Sequence, residues 1–230
     1  MKNKLHLQAK TSLPVRSCIA AALALGCALA AAKPAAAQIV KPPVTDPKIT
    51  PPVGATAFVQ GHGVGTQGYV CLPTSEGAST ASWTINDARP EATLFTTLLG
   101  QEFQIITHFL SPNTNPNKFA PNPLPFGNVT WQSSLDSSKV WAQKVNAVPA
   151  DPNTPACTNK GAIACVLLQA IGTEQGPAGG KFLTQTTFIQ RLNTRGGSAP
   201  AEGCSVAGDV GKQTLVPYSA DYFFYTGGVQ

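Results

Sequence analysis

Leu215-Val216-Pro217-Tyr218-Ser219-Ala220-Asp221-Tyr222-Phe223-Phe224-Tyr225 is the stretch that decides the fold. Val216, Tyr218, Ala220, Tyr222 and Phe224 place apolar or aromatic groups on one face of an extended chain. Ser219 and Asp221 lie on the other, which also carries Phe223. A period of two marks a half-buried strand; the 3.6-residue period of a helix would scatter these groups. Phe103, Ile105, Thr107 and Phe109 repeat the pattern within 102–110. Further strand-like runs at 55–60, 67–72, 81–85, 92–99, 129–132, 139–148, 163–171 and 182–192 are separated by Gly, Pro, Asn and Ser clusters. Leu99-Gly100-Gln101 reads as a hairpin turn between two of them. Only 162–170 has helical character, and it is too short to stand alone. About ten short strands predict an all-β domain, an antiparallel β-sandwich or a barrel-like sheet. The strand–helix alternation of a parallel α/β sheet does not occur.

The chain has 230 residues, 43% hydrophobic and only 12% charged. That supports one domain with an ample core and argues against a coiled coil or a disordered chain. The first residues are an address. Lys2, Lys4, Lys10 and Arg16 precede the apolar run 18–32, and Lys33-Pro34-Ala35-Ala36-Ala37 follows. This is the order of a signal peptide over 1–37, with cleavage expected after Ala37 and a secreted or periplasmic destination. The apolar run is shorter than the ~20 residues of a membrane span. Residues 38–54 hold five prolines and read as an extended Pro-rich arm, leaving 55–230 as the all-β domain. Without 1–37, eleven basic residues face eleven acidic ones. No basic stripe remains for nucleic acid, and no transmembrane segment follows the leader.

Four cysteines survive this processing: Cys71, Cys157, Cys165 and Cys204. An even count in an exported chain predicts two disulfides in one of three connectivities. Cys157–Cys165 as a local staple and Cys71–Cys204 as a long-range one is the favoured pairing. The closest pair is eight residues apart, which does not suit the C-x₂₋₄-C spacing of a zinc site, so no metal is expected.

Gly63-Val64-Gly65-Thr66-Gln67-Gly68 satisfies G-x-G-x-x-G. A dinucleotide site needs that pattern to open a helix, whereas Tyr69-Val70-Cys71-Leu72 is a strand. The motif reads as a glycine-rich turn between strands, and no cofactor is expected. No G-x-S-x-G is present; Gly196-Gly197-Ser198-Ala199-Pro200 reads as a turn. After the leader only His62 and His108 remain as histidines, so a triad or metal site would draw on them with a carboxylate such as Asp136. Trp83, Trp131 and Trp141 suit a core or a sugar platform. Trp131, beside the Pro/Asn-rich loop 111–128, is the best candidate for an exposed one. Arg191, in an otherwise uncharged strand, is expected to pair with Asp221 or Asp136 rather than to clamp a substrate.

The segments 63–71 (GVGTQGYVC) and 90–95 (PEATLF), His108-Phe109, Trp131, 136–140 (DSSKV), 189–197 (IQRLNTRGG), Cys204 and 217–225 (PYSADYFFY) together resemble the domain of unknown function 3455 family over about 55–225. The stretches around Arg191 and Tyr222 carry most of the specificity. The resemblance implies an exported protein and no established activity. Two departures stand out. Asp136-Ser137-Ser138 replaces the usual Asp-Gly-Ser, and 111–128 is an apparent insertion before Trp131.

The leading functional expectation is a non-catalytic extracellular or envelope module that binds a partner such as glycan or envelope material. The alternative is a secreted hydrolase or metal-dependent enzyme using His62, His108 and Asp136. A third reading makes the Pro-rich arm a tether of a structural surface protein.

Overall fold

The computed structural model describes residues 40–85, 89–111 and 127–228. The expected signal segment and most of the 111–128 loop lie outside the described residues. Nine strands follow in chain order: β1 Thr56–Pro73, β2 Ala81–Ile85, β3 Glu91–Leu98, β4 Gln101–Ser111, β5 Asn128–Ser133, β6 Lys139–Val148, β7 Cys165–Glu174, β8 Phe188–Gly196 and β9 Gln213–Thr226. All pairings are antiparallel, and β3 to β9 pair in sequence order.

The ring closes because β1 is long enough to serve three neighbours. β9 pairs along one edge from Thr56 to Val70. The other edge carries β3 against His62–Thr66 and then β2 against Tyr69–Pro73. One sheet therefore curves into a ring of eight strands with β2 as an extension, a barrel rather than a sandwich. Closure leaves no exposed edges around the ring.

Two sequence expectations change here. The runs at 55–60 and 67–72 are one strand of 18 residues, and the glycine motif lies inside it. Gly63 and Gly65 serve close packing, not a turn. A Cβ on Gly63 would sit 2.7 Å from the Tyr222 ring, and one on Gly65 1.9 Å from the Glu91 carbonyl oxygen. Gly65→Ala should therefore force β3 away from β1 and cost about 2 kcal/mol, within the usual overpacking range. Urea denaturation against wild type checks this; an unchanged midpoint would contradict the packing. The expected strand at 182–192 begins only at Phe188, because other partners hold its first residues. Phe182 N–H donates to the Asp136 carboxylate at 2.8 Å and Leu183 N–H to Ser138 Oγ at 3.0 Å.

The sheet is buried on both faces over part of its length. The lumen holds Leu94, Ile106, Trp131, Val140, Ile189, Tyr222 and Phe224 among others. A second core on the outer face gathers Val148, Leu167, Leu192, Phe223 and Tyr225 around Ile49. This core accounts for Phe223 on the otherwise polar face of the deciding stretch.

The residues read as a free arm cover that outer core. A 3-10 turn at Pro47–Ile49 is capped by Asp46, whose carboxylate accepts from Lys48 N–H. Ile49 is fully buried. The buried Gln190 side chain donates to the Ile49 carbonyl at 2.6 Å and accepts from the Tyr225 hydroxyl. Residues 40–54 are thus part of the folded unit.

Both disulfides take the favoured pairing. Cys71–Cys204 joins β1 to the loop before β9, and Cys157–Cys165 fastens the loop that leads into β7.

Candidate functional site

Alternation along the strands decides which side chains meet inside the barrel. Gln67 of β1, His108 of β4, Trp131 of β5, Leu168 of β7, Arg191 of β8 and Tyr222 of β9 line one lumenal cavity of about 150 Å³. Exposed Ile85 and Lys144 also border it. An eight-stranded ring is just wide enough for its side chains to fill it or to hold one small ligand. The Gly63 position leaves room for the Tyr222 ring beside this space.

Trp131 is 1% exposed, so the expected platform at the surface is an interior wall instead. Its β5 residues alternate into the lumen, and its ring stacks on His108 with centroids 4.2 Å apart and planes within 9°. The indole Nε1–H is buried without a hydrogen-bond partner.

Arg191 does not pair with Asp221 or Asp136. It sits one register from Gln190, so it faces the lumen while Gln190 faces the outer core. One terminal nitrogen donates to the Ala164 carbonyl at 2.9 Å, and the guanidinium carbon lies 6.0 Å from the centre of the Tyr218 ring. Among the described residues no carboxylate comes within 4.0 Å of it. Its Nε–H is buried and unpartnered. A partly buried cation on the lumenal wall, without a carboxylate partner among the described residues, is the unusual feature of the site.

His108 is uncharged here. Its Nδ1 lies 2.8 Å from the Thr130 carbonyl oxygen, which only accepts. The Nδ1 therefore carries the hydrogen, leaving Nε2 as an acceptor. Burial pushes its pKa down to about 3; the Thr130 bond opposes this and the Arg191 charge adds to it. Tyr222 and Tyr218 share a hydroxyl–hydroxyl bond of 2.7 Å. Burial raises both of their pKa values, and the Arg191 charge opposes the rise.

The other candidates lie elsewhere. His62 is on the outward face of β1, half exposed, with Nδ1 2.9 Å from the Asp221 carboxylate. Asn193 holds the second Asp221 oxygen at 2.8 Å. His62 and His108 therefore occupy opposite faces of the sheet. Asp136 belongs to the β5–β6 turn and accepts from the N–H and hydroxyl of Ser138 and from Phe182 N–H. Burial opposes ionisation there, but these bonds prevail and hold the pKa at about 2. Ser137 between them has φ +60°, a left-handed conformation that favours glycine, so the Asp-Ser-Ser departure falls at a glycine-suited position. His62, His108 and Asp136 are not brought together.

Sequence reasoning missed Gln67 and Tyr222 as cavity residues. Both were legible in principle: 63, 65 and 67 share a face of β1, and Tyr222 shares one with Tyr218.

Residues 52–226 match the family model described as "Protein of unknown function (DUF3455)". The chain belongs to this family. No curated protein and no solved structure matches the chain. The DUF3455 match spans all nine strands, from Thr56 to Thr226, and every cavity residue named above. In this DUF3455 protein the cavity belongs to the family domain itself.

Proposed function

We propose that this protein is an exported binding module that holds a small molecule in the barrel lumen and does not act as an enzyme. The observation that carries the reading is the lumenal cavity of about 150 Å³ with Arg191 on its wall and no carboxylate among the described residues that line it. The basic-then-apolar leader and the two disulfides support export. No helix among the described residues is long and apolar enough to cross a membrane. Binding is favoured over catalysis because His62, His108 and Asp136 stand in three separate environments, so no base reaches a nucleophile through them. A small molecule is favoured over glycan because Trp131 is buried and offers no face to a sugar chain.

The test is a thermal-shift screen of the oxidised protein against a small-molecule fragment set, repeated with Leu168→Trp to fill the cavity. Fragments should raise Tm of wild type by several degrees and leave the variant unmoved, with near-UV circular dichroism confirming that it folds. Absence of any stabilising fragment for wild type, or equal shifts in the folded variant, would refute lumenal binding.

A further inference from the structure

We infer that the lumen selects a small apolar carboxylate, with its anionic head on Arg191 and Trp131 and its body along the aliphatic wall. This rests on the reading of the lumen as the binding site and adds the chemical class of the ligand.

Three observations converge. First, the cavity has two cations on its lining, Arg191 within and exposed Lys144 at its border, and no acidic residue among the described residues that line it. Arg191 is partly buried and has no carboxylate partner among the described residues, and an anion entering the cavity would supply one. Second, two buried N–H donors on the same cavity have no partner: Arg191 Nε and Trp131 Nε1. Buried donors of this kind are rare and call for an acceptor. The guanidinium fork suits a planar carboxylate, and the indole N–H adds a donor from another strand. Third, the remaining wall is apolar, with Val129, Val166 and Leu168. A cavity of about 150 Å³ is the size that accepts a benzene ring. His108, uncharged in this setting, adds no second positive charge inside the lumen. A phosphate would need donors for more oxygens than two unpartnered N–H groups serve, and it has no apolar body for the aliphatic wall.

The experiment uses three probes of the oxidised protein: benzoate, toluene and inorganic phosphate. Binding is read by calorimetry and by the Trp131 indole N–H resonance. Benzoate should bind and shift that resonance. Arg191→Gln should weaken benzoate at least tenfold while leaving toluene within about twofold, and phosphate should neither bind nor compete. Arg191→Lys, which keeps the charge but loses the fork, should fall between wild type and Arg191→Gln.

Without ligand, Arg191→Leu should have a Tm at or above that of wild type, whereas a purely structural arginine would lower it on removal. Toluene binding at least as tightly as benzoate, with Arg191→Gln neutral, would overturn the carboxylate class and leave lumenal binding standing. Competition by phosphate would also overturn the class. Failure of all three probes to perturb wild type would count against both. If Arg191→Gln does not fold, the toluene comparison and the Trp131 resonance in wild type decide alone.

Discussion

Replacing Cys71 and Cys204 together by alanine should destabilise the protein by about 5 kcal/mol, against about 2–3 kcal/mol for Cys157 and Cys165 together. The difference follows from loop length: the bridges close 133 and 8 residues of chain respectively. Chain entropy removed from the unfolded state grows with the logarithm of the loop. The long bridge is one of several ties between β1–β2 and the segment that joins β8 to β9. Between β8 and β9 Cys204 bridges Ala81, Gly203 accepts from the Trp83 indole at 2.7 Å, Gly197 accepts from the Tyr69 hydroxyl at 2.6 Å, and Gly211 N–H and the Lys212 carbonyl pair with the Cys71 backbone at 2.9 Å. An Asp209 cluster with Ser205 and Lys212 is local to the segment itself. A loss of about 5 kcal/mol rivals the whole stability of many domains, so the first double variant should be largely unfolded at physiological temperature. Urea denaturation of both oxidised variants measures this. Equal losses from the two bridges would show that loop closure does not govern the stabilisation.

Acidification from pH 7 to pH 4 should cost about 3 kcal/mol of stability through His108 alone. Its folded pKa, about 3, lies below the ordinary value of 6.5 because burial disfavours the charged ring. A depressed folded pKa means that the unfolded chain takes the proton first. The stability is complete above pH 6.5 and is lost progressively as the pH falls toward 3. The groups facing the ring make protonation in place unfavourable: the Arg191 cation, the stacked Trp131 and neutral Tyr222. His108→Gln keeps an N–H for the Thr130 carbonyl but cannot titrate, so it should start less stable at pH 7 and lose less than about 1 kcal/mol over the same range. Stopping at pH 4 separates this from Asp136, whose pKa of about 2 places its own loss below the ordinary carboxylate value. A wild-type slope retained in His108→Gln would remove His108 as the cause.

Much of the scaffold was legible from residue order because strand alternation is a local property. Tyr218, Ala220, Tyr222 and Phe224 declare an inward face whatever they meet there. The two disulfides followed from an even cysteine count read together with an expected export leader. Local reading erred where the deciding neighbour was distant in sequence. Gly63 and Gly65 look like a turn until Tyr222 and Glu91 are placed against them. Phe182 and Leu183 look like a strand until Asp136 and Ser138 take their N–H groups. Residues 40–54 look like a tether until Ile49 is found under Gln190. Deleting the arm would therefore uncover a core rather than simply release the protein.

The candidate site shows the same division. By itself, the order of amino acids determined the all-β class, most of the strands and their buried faces, the even cysteine set and the family, because each depends on spacing along the chain. Tertiary structure alone decided that Arg191 has no carboxylate partner among the described residues, that Trp131 is an inner wall, and that His62 and His108 face away from each other. Those facts depend on where eight strands meet when the ring shuts. Ring closure brings together residues more than a hundred positions apart, and their charges and unmet donors acquire meaning only there.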